Sequence, residues 1–96
     1  MNTIQTTEYF DDWLRSLKDR QAAAHVKIRI RRAEYGNFGD CAPVGEGVSE
    51  MRIHYGPGYR IYFRQLSLKI FVLLAGGNKS TQSKDIQTAL EMARRL

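Results

Sequence analysis

The chain has 96 residues, of which 43% are hydrophobic and 26% charged, with fifteen Lys and Arg against ten Asp and Glu. This length and composition predict a single folded domain over residues 1–96 and exclude a disordered tail. The formal net charge of +5 favours a negatively charged partner, such as nucleic acid, the ribosome or an acidic protein.

Cysteine usage and the apolar runs narrow the protein class further. Cys41 is the single cysteine, which excludes a disulfide within the chain and a cysteine-based zinc site. The N-terminal segment lacks the basic start and long apolar stretch of a signal peptide. The run from Ile70 to Ala75 is far shorter than the roughly 20 residues that a membrane span needs. We therefore expect a cytoplasmic protein that does not associate with membranes.

The first third of the chain predicts a short strand and two helices. A weak alternation favours an edge strand over residues 1–5. Apolar residues at helical spacing predict a helix over residues 7–19, with Thr6 or Thr7 as N-cap. A second stripe predicts a helix over about residues 21–35, although its VKIRIR stretch also alternates as a strand would. Two consecutive helices with a short joint predict an antiparallel helical hairpin.

Beyond the helices, the pattern changes to that of a loop and three strands. Glycine and proline predict a loop over residues 36–47. Strict alternation predicts strands over residues 48–55 and 59–65, joined by the turn Gly56-Pro57-Gly58. The almost wholly apolar residues 68–76 predict a strand covered on both faces.

A helix is predicted to complete the fold. Gly76-Gly77-Asn78 is expected to end the last strand, and Thr81 or Ser83 to cap the helix that follows. The predicted order is therefore βααβββα. Its fold class is α+β, a helical hairpin packed on a small twisted, mostly antiparallel sheet with a C-terminal helix.

Positive charge is concentrated in the predicted sheet. No acidic residue occurs between Glu50 and Asp85, whereas the same segment carries Arg52, Arg60, Arg64, Lys69, Lys79 and Lys84. Such a face, left open by the helices, would bind phosphates through arginine and stack bases on tyrosine or histidine. The alternative is a solvated or salt-bridged outer face. The predicted RNA- or phosphate-binding residues are Arg52, Tyr59, Tyr62, Arg64, Lys84, Lys27 and Arg31.

The sequence offers few routes to chemistry. His25 and His54 lie far apart without a carboxylate cluster, so neither a metal nor a cofactor is expected. The stretch AGGNKST lacks the spacing of a phosphate-binding P-loop. Metal-free RNA cleavage remains, because the 2′-OH of RNA supplies the nucleophile and cations stabilise the phosphorane-like charge. His54, Tyr59, Tyr62 or a lysine would then transfer the proton.

Two motifs resemble one known family. The element order, the string GPGYRIYF and the later string LLAGGNKSTQSKDIQTA resemble the RelE/ParE toxin superfamily. They are most similar to its HigB-like branch, the phage-derived addiction-module killer proteins of type II toxin–antitoxin systems. The resemblance spans nearly the whole chain and is strongest from Glu50 to Ala89. It implies a small basic domain with a helical hairpin packed against a mostly antiparallel sheet.

The resemblance implies three alternative functions. RelE- and HigB-like members cleave mRNA in the ribosomal A site, whereas ParE-like members inhibit DNA gyrase without catalysis. A cognate antitoxin, usually a helix-turn-helix protein in this branch, neutralises the toxin in a hetero-oligomer. The first expectation is therefore a ribosome-dependent mRNA endonuclease. A gyrase inhibitor and an inactive prophage remnant that only binds its antitoxin remain the alternatives.

The resemblance also implies roles for individual residues. Arg60 corresponds to the strand arginine that RelE-like nucleases use for cleavage, and Lys79 lies in the loop where relatives carry further cations. Together with His54, a candidate for proton transfer, they are the predicted catalytic residues. The catalytic tyrosine of RelE-like relatives has no counterpart here, because Asp85-Ile86 occupies that stretch.

Overall fold

A computed structural model describes the whole chain, Met1–Leu96. In chain order the elements are β1 (Thr3–Thr6), α1 (Glu8–Ser16), α2 (Arg20–Glu34), β2 (Cys41–Gly45), β3 (Val48–Ile53), β4 (Tyr59–Ser67), β5 (Ile70–Asn78), a 3-10 turn (Lys79–Thr81) and α3 (Gln82–Arg94). The predicted α+β class is confirmed, with one strand more than the sequence predicted. None of the helices combines the length and apolarity that crossing a bilayer would require.

The five strands form one mixed sheet in the order β1-β5-β4-β3-β2. The edge strand predicted at the N-terminus is confirmed as β1, which runs parallel to β5 with Thr3 opposite Ile70 and Thr6 opposite Leu73. All other neighbouring strands are antiparallel. Because β1 ends opposite Leu73, the C-terminal half of β5 has no strand on its outer side.

The loop predicted over residues 36–47 is wrong for its second half, which forms β2. Its glycines and its proline hid the strand from the sequence pattern. An edge strand can contain Pro43, because the backbone N–H groups on its open side have no neighbouring strand to bond, and a missing N–H there costs no hydrogen bond. Two residues with positive φ, Glu46 at 52° and Gly47 at 78°, then make the tight turn into β3.

The first two helices cover one face of the sheet. Thr7 caps α1 by accepting a hydrogen bond from the Phe10 N–H, and Asp19 caps α2 by accepting from the Gln21 N–H. Phe10 and the inner face of α2 pack on alternate strand residues to form the larger core. The strand residues of that core are Met51, Ile53, Tyr59, Ile61, Phe63, Phe71 and Leu73.

The opposite face is not the open platform that the sequence predicted, because α3 covers much of it. Ala89 and Ala93 on α3 pack against Val48, Tyr62 and further apolar residues of β5 to form a second core. Small side chains on α3 let its backbone approach the sheet closely. The arginines of β3 and β4 therefore project into a face that is half covered by helix.

Two consecutive glycines let helices approach β5 from both faces. The strand predicted over residues 68–76 is confirmed as β5, displaced by two residues so that both glycines lie within it and it ends at Asn78. A Cβ on Gly76 would overlap the Trp13 ring from α1, and a Cβ on Gly77 would overlap the Asp85 carboxylate from α3. These glycines therefore provide room for close packing rather than a strand end.

The C-terminal helix begins in an unexpected way. Thr81 occupies the N-cap position of α3, but its side chain makes no capping hydrogen bond. Its hydroxyl instead donates to Asp85 Oδ2 at 2.5 Å. Asn78 caps the preceding 3-10 turn, because its Oδ1 accepts from the Ser80 N–H at 2.9 Å.

The contact between Gly76 and Trp13 gives a first prediction. Gly76→Ala should lower the free energy of unfolding by about 2–3 kcal/mol, because the added methyl group overpacks the site. In a Trp13→Ala background the same change should cost less than about 1 kcal/mol, since the ring is gone. Urea unfolding of the four proteins of this double-mutant cycle measures both values. Additive losses would contradict the packing described here.

Candidate functional site

A buried carboxylate lies at the centre of the sheet face that carries Arg52, Arg60 and Arg64, which we call the basic face. Glu50 on β3 is only 1% exposed and lies between β4 and α3. Its Oε2 accepts from Arg52 Nε at 3.0 Å and Arg60 Nη1 at 3.3 Å. Its Oε1 accepts from Gln82 Nε2 at 2.7 Å and, at 3.4 Å, from the Tyr62 hydroxyl. Although the segment after Glu50 contains no acid, Glu50 itself neutralises two of its arginines in the folded protein. The prediction of a basic face without acidic partners is therefore wrong.

Both tyrosines predicted to bind RNA lie in the two cores. Tyr62 is fully buried under α3, where burial, followed by the Glu50 charge, raises the pKa of its hydroxyl. Tyr59 faces the opposite core, with its ring centroid 6.4 Å from that of Trp13. Neither ring is free to stack on a base, so that prediction is wrong for both residues.

A second acid pairs with the predicted catalytic histidine. Asp40, between α2 and β2, lies with Oδ2 2.7 Å from Nε2 of His54 and Oδ1 3.6 Å from Nη1 of Arg52. The hydrogen bond to His54, supported by the charge of Arg52, lowers the pKa of Asp40. When Nε2 carries the proton and donates it to Asp40, Nδ1 of His54 is left free to accept one. Sequence reasoning missed Asp40 because it lies fourteen residues before His54, in the predicted loop.

An arginine on α2 holds the Asp40 segment against the sheet. Arg29 donates from Nη1 to the Arg52 carbonyl at 2.5 Å and from Nη2 to the Phe38 carbonyl at 2.9 Å. Partial burial lowers the pKa of Arg29. Gly39 lies against this guanidinium at a φ of +65°, where a Cβ would overlap it. The segment is thus fixed from within the fold, which places Asp40 beside His54.

The three predicted catalytic residues line one surface depression. An open hollow of about 420 Å³ at the β3–β4 turn is bordered by His54, Arg60 and Lys79. The Lys79 N–H donates to the Gly58 carbonyl at 2.9 Å, which ties the 3-10 turn to the hairpin. The β3–β4 hairpin and the 3-10 turn, which follows it after β5, therefore bring an imidazole, a guanidinium and an ammonium group to one depression.

The two cations of this depression differ in their surroundings. The Arg60 side chain is 14% exposed, and its buried Nε has no hydrogen-bond partner. Lys79 is exposed and forms no salt bridge with any acid of the chain. The charge of Lys79 is therefore fully available to an incoming anion, whereas the charge of Arg60 is partly neutralised by its ion pair with Glu50.

The remaining predicted binding residues lie elsewhere. Arg64 donates from Nη1 to the Ala93 carbonyl at 2.8 Å, so it satisfies the C-terminus of α3 at the other end of the sheet. Lys27 and Arg31 are exposed on α2, which packs on the face opposite Arg60. Lys84 is exposed on α3 and is absent from the lining of the depression. The prediction that all these residues form a single binding site is therefore wrong.

The Glu50 cluster gives a prediction about stability. Glu50→Gln should lower the free energy of unfolding by about 3 kcal/mol, because Arg60 is left with no carboxylate partner in a half-covered position. That loss corresponds to a fall in Tm of more than ~10 °C for a domain of this size. Glu91→Gln, an exposed change on α3, is the control and should stay within about 0.5 kcal/mol of wild type. Equal Tm values for the two variants would contradict the central role of Glu50.

The pairing of Asp40 with His54 gives a prediction about pH. Because its pKa is lowered in the folded protein, ionised Asp40 stabilises the fold above its unfolded pKa of about 3.9, and this contribution is lost as the pH falls through the lowered value. NMR titration of the Asp40 carboxyl carbon should give a midpoint below 3.9. The midpoint should rise in His54→Ala, which removes the donor. An unchanged midpoint in that variant would show that the contact is absent in solution.

Comparison with known proteins places the chain in a family without assigning a function. No known family profile matches it. An uncharacterized protein of Haemophilus influenzae is 46% identical over 93 residues, which cover 97% of this chain and 94% of that protein. Identity at this level over nearly the full length of both chains shows common descent and a shared fold. The chain therefore belongs to the same family as this Haemophilus influenzae protein.

Proposed function

We propose that the protein is the toxin of a type II toxin–antitoxin system, a HigB-like member of the RelE/ParE superfamily that cleaves mRNA on the ribosome. The supporting observation is the depression that gathers His54, Arg60 and Lys79, with His54 held by Asp40. The protein acts in the cytoplasm without a metal or cofactor. A helix-turn-helix antitoxin neutralises it in a hetero-oligomer.

The chemistry follows from the positions of these side chains. His54 Nδ1 takes the proton of the ribose 2′-OH, whose oxygen attacks the adjacent phosphorus. The bond from phosphorus to the 5′-oxygen breaks, leaving a 2′,3′-cyclic phosphate, and the departing 5′-oxygen takes a proton from solvent water. Asp40 stabilises the imidazolium that forms. Arg60 and Lys79 stabilise the negative charge that develops on the phosphoryl oxygens.

One observation favours the gyrase-inhibitor alternative. Glu50 and Asp40 neutralise much of the positive charge of Arg52 and Arg60 within the fold. A face whose arginines are already paired attracts a polyanion less strongly than an unpaired one. Such a face is suited to a protein partner, which would read shape as well as charge.

The nuclease proposal predicts loss of cleavage on removal of the exposed cation. Lys79→Ala should reduce mRNA cleavage by about 10²-fold, since one stabilising charge is lost from the transition state. The side chain makes no salt bridge, so Tm should stay close to wild type. Mapping of mRNA 5′ ends after a short induction measures the cleavage. Lys18→Ala, an exposed lysine between α1 and α2, is the matched control and should cleave normally.

The same experiment separates the alternatives. Breaks at A-site codons that disappear in Lys79→Ala support the nuclease. Intact transcripts together with DNA damage overturn it in favour of gyrase inhibition. The absence of growth inhibition by the wild-type protein, expressed without a partner, overturns it in favour of an inactive remnant.

A further inference from the structure

A second cavity lies at the outer edge of β5, beyond the end of β1. It has a volume of about 500 Å³ and opens between α1 and the start of α3. Its floor is the unpaired edge of the strand at Gly76, Gly77 and Asn78. The proposed chemistry uses none of its lining residues, and the exposed carboxylate among them, Asp12, is paired with Arg15 at 2.6 Å.

One wall of this cavity is aromatic. Tyr9 and Trp13 lie one turn apart on α1, which puts them on the same face of the helix. Tyr9 is 49% exposed, so its ring remains accessible from solvent. Trp13 is half-buried against Gly76 and still borders the cavity. Planar aromatic walls of this kind are the surfaces on which proteins stack unpaired bases.

The facing wall offers one hydrogen-bond acceptor and one donor. Asp85 is only 9% exposed. Its Oδ2 accepts a hydrogen bond from the Thr81 hydroxyl, whereas its Oδ1 accepts none within the protein. Asn78 accepts two bonds from Ser80 through Oδ1, which leaves its Nδ2 group free to donate. A buried carboxylate acceptor and an amide donor therefore line the same cavity.

This cavity and the basic depression have no lining residue in common, but they adjoin along the paired strands β4 and β5. Arg60, which borders the depression, is the ladder partner of Gly77, which floors the cavity. Lys79 borders the depression and follows directly on Asn78, which borders the cavity. A ligand with an anionic group joined to a planar ring would place the anion beside Lys79 and the ring beside Trp13.

We propose that this cavity binds the guanine base of a nucleotide whose phosphate lies in the basic depression. Guanine presents the acceptor O6 and the donors N1–H and N2–H₂ on one edge, which match the Asn78 amide and the Asp85 carboxylate. Asn78 Nδ2 would donate to O6, and the free Oδ1 of Asp85 would accept from N1–H and N2–H₂ together. Uracil presents one donor between two acceptors, and adenine and cytosine present one donor group beside acceptors, so each of them loses at least one of these bonds. The site deepens the proposed function, on which it depends for RNA as the source of the guanine.

The single tryptophan of the chain allows a direct test. Titration of the protein with GMP should quench Trp13 fluorescence saturably, because the base stacks beside the ring. AMP, CMP and UMP should bind at least about tenfold more weakly, since they lose a paired hydrogen bond in a half-buried site. Ribose 5-phosphate, which has no base, should not quench. Equal quenching by all four nucleotides would overturn the guanine assignment.

Variants separate base reading from simple stacking. Asp85→Asn keeps an oxygen for the Thr81 hydroxyl but loses the carboxylate, so the preference for GMP should disappear. Tyr9→Ala alters only an exposed side chain and should weaken all four nucleotides equally. Glu91→Gln on α3 is the control and should bind GMP as wild type. Binding of N-acetylarginine amide in place of GMP would overturn the proposal in favour of a basic peptide.

The outcome can be told apart from that of the proposed function. If Lys79→Ala abolishes cleavage while GMP fails to quench Trp13, the guanine site is wrong and the nuclease stands. If GMP quenches Trp13 while no transcripts are cut, the nuclease is wrong and the nucleotide site stands. If both hold, guanosine should be enriched beside the cuts made by wild type and lose that enrichment in Asp85→Asn.

Discussion

The buried carboxylate of Glu50 is the interaction on which the arrangement of the basic face depends. Without it, Arg60 could not lie 14% exposed beneath a helix, because an unpaired guanidinium loses too much hydration there. Glu50 also binds Gln82, which fixes the first turn of α3 over β3 and β4. One side chain thereby links the position of Arg60 to the first turn of α3.

The depression illustrates how a strongly basic protein limits its own charge. Arg52 forms ion pairs with both Asp40 and Glu50, and Asp40 is also bonded to His54. Among the basic residues that line the depression, Lys79 is the one without an acidic partner. Ion pairs of this kind weaken the attraction of the surface for distant anions, but they hold the basic side chains in fixed positions. In a catalytic site fixed geometry has the greater value, because groups held in place need no rearrangement when charge develops.

Local periodicity was sufficient for most elements and insufficient for the site. Alternating residues in β3 and β4, and helical spacing in α1, depend on neighbours in the chain, so the sequence predicted them well. The burial of Tyr62 depends on α3 folding back over the sheet, and alternation alone cannot tell a covered face from an open one. The Asp40–His54 pair depends on a strand, β2, whose Pro43 marks a loop in any local pattern. Contacts between distant segments carry no periodic signal.

The parallel pairing of β1 with β5 also constrains how the chain reaches its folded state. Thr7 donates its hydroxyl hydrogen to the Leu74 carbonyl, a contact between residues 67 positions apart. During synthesis the N-terminal strand must therefore wait until three quarters of the chain has left the ribosome before it finds its neighbour. A nascent chain interrupted ahead of β5 lacks the centre of both cores, so truncated products should remain open to proteases.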